Sequence, residues 1–129
     1  MLDTNILISI IIFDSQTLKN MFLRVCEKYT LVLSTYVINE LYEVVDRKFA
    51  NKRIYLDEFL YKIPYVLEHT PEYILDDRVL KIRDVKDAPV LYSAIISDVD
   101  VLITGDKDFD EIKIERPEIM TATEFLKKY

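Results

Sequence analysis

The chain alternates short apolar runs with longer amphipathic stretches, the pattern of an α/β fold. Val101–Thr104 is the clearest strand, because an apolar or β-branched run without polar alternation is typical of a strand buried on both faces of a parallel sheet. Leu31–Leu33 and Tyr65–Thr70 predict two more strands. Met1 and Leu2, just before Asp3, are the stub of a first strand.

Helices are predicted between these strands, mostly from apolar residues that recur every three to four positions. Periodicity alone leaves Ile6–Phe13 ambiguous between strand and helix, and the N-cap candidates Asp3-Thr4-Asn5 favour a short helix there. The predicted helices cover or begin at Ile6–Phe13, Ser15, Ser34 or Thr35, Ile54–Ile63, Asp87 and Thr121. Asp87-Ala88-Pro89 is a typical helix start, with Asp as the N-cap and Pro in the first turn. Thr121-x-x-Glu124 is a capping box for the terminal helix. The order of elements predicts an α/β fold with a mostly parallel sheet, in a single domain over residues 1–129.

Composition narrows the class of protein. Cys26 is the only cysteine and cannot form an intrachain disulfide, which favours a reducing cytoplasm. The longest apolar run, Ile6–Phe13, is much shorter than the roughly 20 residues of a membrane span, so we expect a soluble protein without a membrane partner. The net charge of −6 disfavours nucleic-acid binding unless bound cations add positive charge.

Four acidic residues lie at comparable places in the predicted fold. Asp3 follows the first strand, Asp106 follows Val101–Thr104, Asp87 begins a helix, and Glu40 lies about one turn into the helix after the second strand. Ligands of open α/β sheets bind beyond the carboxyl ends of the strands. We therefore expect these four carboxylates to meet at one edge of the sheet.

Each acid also has an ordinary structural interpretation. Asp87 alone is a helix cap, Glu40 alone is a solvated helix residue, and Asp3 or Asp106 alone is a turn residue. The helical wheel places Glu40 roughly 100° from the apolar centre of its helix, nearer the core boundary than Glu43. Only the joint placement of the four acids indicates a site.

Clustered carboxylates repel one another and raise each other's pKa unless a cation is present. Ligand sets made only of oxygen suit Mg²⁺ or Mn²⁺. Two such ions can activate water and stabilise the leaving oxygen of a phosphodiester. The two ions would also offset the negative charge of the four acids. Asp108 is a candidate for a supporting ligand of these ions.

Four segments together resemble the PIN-domain family, and in particular its branch of toxin components of toxin–antitoxin pairs. They are MLDTNILIS at 1–9, VINEL at 37–41, KDAPVL at 86–91 and LITGDKDF at 102–109. The resemblance implies a three-layer α/β/α fold with a five-stranded, mostly parallel sheet. It also implies a metal-dependent endoribonuclease that acts on single-stranded RNA, forms homodimers and is neutralised by a small antitoxin protein.

The resemblance assigns roles residue by residue. The four family acids match Asp3, Glu40, Asp87 and Asp106, the extra aspartate of the toxin branch matches Asp108, and the polar positions that orient the acids match Asn5 and Thr104. Our mechanistic hypothesis is that Asp3, Asp87 and Asp106 bind the principal Mg²⁺ or Mn²⁺ and Glu40 supports a second ion or orients water. Water then attacks phosphorus in line, without a Ser or Cys nucleophile.

A basic segment and two rival functions complete the expectations. The basic patch consists of Arg47, Lys48, Lys52 and Arg53, and it is a candidate contact for the RNA backbone. An equally good interpretation is a solvated helix end whose cations interact favourably with the negative end of the helix dipole. The rivals are a non-catalytic PIN-like interaction module and an aspartate-based phosphotransfer protein assisted by Lys107. Similar sheets host unrelated chemistry, so fold alone does not choose among them.

Overall fold

The computed structural model describes residues 1–129 and contains seven α-helices and four strands in the predicted alternation. The helices are α1 Thr4–Ile12, α2 Gln16–Lys28, α3 Thr35–Lys48, α4 Arg53–Lys62, α5 Asp77–Leu80, α6 Ala88–Ile96 and α7 Ala122–Lys128. The strands are β1 Val32–Ser34, β2 Val66–Glu68, β3 Val101–Ile103 and β4 Glu118–Met120. Two short 3₁₀ turns cover Ala50–Lys52 and Lys107–Glu111.

Every strand pairing is parallel, as the sequence predicts. β1 pairs with β2, β3 pairs with β4, and Leu2 forms a parallel bridge with Ile103. The predicted count of five strands is not confirmed, because the hydrogen-bonded strands form two separate pairs and the first strand is reduced to the single bridge of Leu2. The α/β class with parallel strands is confirmed.

Three of the six predicted helix starts are confirmed by side-chain caps. The hydroxyl of Ser15 accepts from the backbone N–H of Leu18, and the hydroxyl of Ser34 accepts from that of Val37. Thr121 and Glu124 form the complete capping box at the start of α7. These caps satisfy N–H groups that the first helical turn leaves without an intrahelical acceptor.

The core is a cluster of 31 buried apolar residues that the helices, the strands and the loops between them contribute. Helix α3 contributes Val37, Leu41 and Val45, all completely buried, and Leu7 of α1 is equally inaccessible. No single helix is long and apolar enough to span a bilayer; α1 and α2 meet that criterion only as a pair bent by 113°.

Candidate metal centre

Asp3 and the loop after β3 are tied together by one threonine. The backbone N–H of Asp3 donates to the Ile103 carbonyl at 3.1 Å, so the stub of the first strand ends beside β3. The buried Thr104 hydroxyl donates to Asp3 Oδ2 at 2.8 Å and accepts from the backbone N–H of Asp106 at 3.1 Å. Thr104 therefore links Asp3 to the loop that carries Asp106.

The carboxylate of Asp3 is buried and hydrogen-bonded through both oxygens. Its Oδ1 accepts from the backbone N–H of Thr4 at 2.7 Å, while Oδ2 accepts from Thr104. Burial raises the pKa of Asp3, the hydrogen bonds from Thr104 and Thr4 lower it, and the charges of Glu40 and Asp106 raise it again. These charge interactions place Asp3, Glu40 and Asp106 in one electrostatic neighbourhood.

Asp87 lies at the start of α6 but does not cap it, and this corrects the predicted N-cap. Its backbone is already helical, with φ −83° and ψ −22°, and its side chain accepts no capping hydrogen bond. The side chain is buried, with 8% of the residue exposed, and Oδ2 has no hydrogen-bond partner. A buried unpartnered polar atom costs folding free energy, so this oxygen requires an explanation other than helix capping.

Burial is the largest cause of a raised pKa at Asp87. The close approach of the Asp106 carboxyl group and the charges of Asp106, Asp3 and Asp84 add to it, and the pKa reaches about 8. Asp106 lies on the loop after β3, and Asp3 lies at the end of the first-strand stub. Asp87 is thus the residue at which the charges of the separate segments converge.

Four aspartates present carboxylate oxygens that all lie within 4.8 Å of one another: Asp84, Asp87, Asp106 and Asp108. We call this group the aspartate cluster. Asp106 Oδ1 accepts from the backbone N–H of Asp108 at 2.8 Å, which folds the loop after β3 so that both side chains reach the cluster. Asp108, matched to the extra family aspartate, therefore joins two of the four predicted acids.

Sequence reasoning missed Asp84. The signal that could have revealed it is the spacing Asp84-x-x-Asp87 immediately before the helix start of α6. The backbone N–H of Asp87 donates to the Asp84 carbonyl at 3.0 Å, and this turn brings the two side chains together.

Glu40 lies at the edge of the site, half-buried, whereas Asn39, Glu43 and Asp46 on the same helix are exposed. This ordering confirms the prediction from the helical wheel. The hydroxyl of Tyr36, one turn earlier, donates to Glu40 Oε2 at 3.2 Å. Burial and the charge of Glu40 raise the pKa of Tyr36, so the phenol remains a donor that orients the carboxylate.

The remaining predicted residues are less closely engaged. Asn5 is exposed, lines an open cleft with Asp106, and makes no side-chain hydrogen bond to the acids. Lys107, required by the phosphotransfer alternative, is exposed and forms no ion pair with an aspartate. The structure therefore assigns neither side chain a contact with the aspartate cluster.

Half of the predicted basic patch is already neutralised. Arg47 pairs with Glu43 at 3.6 Å, and Arg53 pairs with Asp46 at 2.7 Å. Because the positive charge of each arginine is compensated by a neighbouring acid, each arginine would contribute less to a contact with phosphate. The exposed members that form no ion pair are Lys48 and Lys52.

The donors of the site fit Mg²⁺ or Mn²⁺. They are carboxylate oxygens, the ligand type that these ions prefer, and one buried oxygen of Asp87 has no partner within the protein. Among the acids of the site only Asp108 is paired with a protein cation, Arg83 at 3.8 Å. The arrangement thus supplies the charge and the ligand atoms for a divalent ion but not the positive charge that would replace it.

Comparison with known proteins gives two positive findings and one negative. A family model described as PIN domain matches residues 1–108. Among solved structures, the crystal structure of VapBC2 from Rickettsia felis bound to a DNA fragment from their promoter is similar, with a TM-score of 0.68 and 20% identity over 93% of this chain and 95% of that chain. At that identity the likeness establishes the fold. No curated protein matches significantly.

Proposed function

This chain belongs to the PIN-domain family, and we propose that it is a Mg²⁺- or Mn²⁺-dependent endoribonuclease that cleaves single-stranded RNA. PIN domains are typically nucleases, which supports hydrolysis of a phosphodiester. The observation that carries the proposal is the buried Asp87 carboxylate, which has one unpartnered oxygen and belongs to a cluster of aspartates almost without protein cations. Such a cluster is unfavourable on its own and becomes favourable when cations bind.

Different residues of the site would bind the ions and orient the ligands. Asp3, Glu40, Asp87 and Asp106 supply carboxylates, with Asp108 beside them. Bound divalent ions would activate water and stabilise the charge that develops on the leaving oxygen. Thr104 fixes Asp3 relative to Asp106. Because both oxygens of Asp3 are already hydrogen-bonded, Asp3 is held in one orientation before an ion binds.

Hydrolysis would proceed by in-line attack of water on phosphorus. The oxygen of water forms the new bond, the bond between phosphorus and the 3′ oxygen breaks, and a proton from water ends on that oxygen. The products would be a 5′-phosphate and a 3′-hydroxyl. This route needs no side-chain nucleophile, and the site contains carboxylates rather than a Ser or Cys.

The toxin of a toxin–antitoxin pair is the biological role that we propose for this nuclease. The VapBC2 likeness in fold supports it, and it supports a small antitoxin protein as the partner. Formation of a homodimer and a cytoplasmic location remain predictions.

The test is cleavage of a 5′-labelled single-stranded RNA in Mn²⁺ by wild type, Asp87→Asn and Asp106→Asn. Altering partners of metal ligands already costs about 10–100-fold, so each ligand variant should lose about 100-fold or more. Asp110→Asn is the matched control, because Asp110 is an exposed aspartate of the same loop that lies outside the aspartate cluster. It should cleave at the wild-type rate.

Equal rates for wild type and both ligand variants would refute the nuclease proposal. Two further results would identify the rivals. Failure of Mn²⁺ to raise the melting temperature would favour a non-catalytic module, because an ion that binds only the folded state stabilises it by mass action. A covalent aspartyl-phosphate formed from a small phosphodonor would favour phosphotransfer.

A further inference from the structure

Asp84 is an acid of the site that lies outside the four positions matched by the family resemblance. Its carboxylate oxygen lies within 4.8 Å of carboxylate oxygens of Asp87, Asp106 and Asp108. Asp84 also precedes Asp87 by one turn of backbone, closed by the hydrogen bond from the Asp87 N–H to the Asp84 carbonyl at 3.0 Å. The two carboxylates are therefore held near each other by local structure and not by chance contact.

The side chain of Asp84 is held in one orientation through one of its two carboxylate oxygens. Its Oδ1 accepts from the backbone N–H of Lys86 at 3.0 Å, which fixes the plane of the carboxylate. No hydrogen bond or ion pair engages the other oxygen. An oriented carboxylate with one free oxygen is prepared to bind a cation at little cost in side-chain entropy.

The buried oxygen of Asp87 indicates independently that something binds in this group. Asp87 Oδ2 is buried and without a partner, on a side chain that belongs to the aspartate cluster. Asp3, in contrast, is outside the cluster and has both oxygens hydrogen-bonded. The acids therefore form two groups, Asp3 with Glu40 on one side and the aspartate cluster on the other, and Asp87 and Asp106 lie where the groups meet.

We propose that Asp84 is a ligand of a second divalent-ion position, formed with Asp87, Asp106 and Asp108. This position is distinct from the one that Asp3 and Glu40 serve, and Asp87 and Asp106 contribute to both. The inference rests on the proposed function, because it assigns a further ligand to the same metal centre. It replaces the expectation that Glu40 supports the second ion with a set of acids on the loops before α6 and after β3.

The simplest alternative is that Asp84 only stabilises the turn before α6. Its bond to the Lys86 N–H is a common turn interaction, and a turn residue would not affect metal binding. Asparagine preserves that role, because its side-chain oxygen accepts the same hydrogen bond. Asp84→Asn therefore separates a ligand from a turn residue.

The experiment counts Mn²⁺ bound per full-length chain by electron paramagnetic resonance and titration calorimetry, with far-UV circular dichroism as a check of folding. Wild type should bind two Mn²⁺, and Asp84→Asn should bind one at wild-type affinity while the second is lost or weakened at least about 10-fold. Asp108→Asn, on a different loop, should show the same loss. Asp110→Asn, the control from that loop, should bind two.

Unchanged binding of both ions by Asp84→Asn would overturn the assignment, and so would a single ion per wild-type chain. These failures are distinguishable from failure of the nuclease. A wild-type protein that cleaves RNA while Asp84→Asn keeps both ions retains its function and loses only this inference. A wild-type protein that binds two ions through Asp84 but leaves RNA intact refutes the nuclease alone.

Discussion

Asp87 shows at the scale of one residue that the aspartate cluster carries a cost in folding stability. A carboxylate at the N-terminus of a helix usually gains stability by capping, but this one accepts no cap hydrogen bond and is buried instead. Its pKa rises to about 8, first because burial disfavours the charged form and then because Asp106 is close. The folded protein without metal therefore holds a proton that the unfolded chain releases.

That difference predicts how stability depends on pH in the absence of metal. Asp87 titrates near 3.8 when unfolded and near 8 when folded, so between these values the folded state binds more protons. Stability from this group is complete below about pH 4 and is lost as pH rises towards 8. Chemical denaturation in EDTA should show this fall, and Asp87→Asn should reduce it. Wild type and variant curves of equal slope from pH 5 to 8 would contradict the prediction.

The sequence predicts the position of some site residues and misses others. Asp3, Asp87 and Asp106 could be predicted because each follows a recognisable strand or begins a recognisable helix. Thr104 was matched through the family resemblance, and its bonds to Asp3 and Asp106 give it a physical role. Asp84 was missed because its position depends on a tight turn, which sequence periodicity does not describe.

At the scale of elements, α3 is positioned by its cap and by its apolar face. Ser34 is completely buried at the end of β1, and its hydroxyl accepts from the Val37 N–H at 3.2 Å. This bond fixes the direction in which α3 leaves the sheet. Because Glu40 lies on the second turn of that helix, the cap also determines where the carboxylate reaches.

Replacing Ser34 with Ala should therefore affect both stability and the site. Loss of an N-cap costs about 1 kcal/mol, and towards 2 kcal/mol where the freed N–H is buried. We expect a melting temperature lower by roughly 4–8 °C and a higher Mn²⁺ concentration for half-maximal cleavage of RNA. Thr121→Ala, which removes the cap of α7, should lower the melting temperature without changing the Mn²⁺ requirement. An identical Mn²⁺ requirement in both variants would show that the cap does not position Glu40.

Helices were easier to predict than strands for a physical reason. Helices α2–α4 and α6 repeat their apolar positions every three to four residues, and α1–α3 begin at side-chain caps, so sequence alone locates these five helices closely. Each strand contains three residues, too few for any periodicity, and its partners are distant in sequence. The parallel class follows from the order of elements, but the division into two strand pairs depends on tertiary contacts.

At the scale of the whole molecule, charge sets the conditions for the proposed binding of RNA. The chain carries −6, and the aspartate cluster adds local negative potential beside the open cleft that Asp106 lines. Bound divalent ions would reverse this potential where the scissile phosphate must approach. In the proposed complex, the remainder of the contact with the RNA backbone would come from cations that are not already paired within the protein.

Lys48 and Lys52 are the members of the basic patch that remain available for that contact, since Arg47 and Arg53 form ion pairs with neighbouring acids. Each phosphate contact to single-stranded nucleic acid contributes about 0.7 to the slope of log affinity against log salt. Lys48→Glu with Lys52→Glu should therefore flatten that slope by about 1.4, measured by fluorescence anisotropy of labelled RNA from 50 to 300 mM salt. Lys28→Glu with Lys127→Glu makes the same change in net charge at two other exposed lysines. If both double variants weaken binding equally and keep the wild-type slope, net charge alone controls affinity and the patch is a solvated helix end.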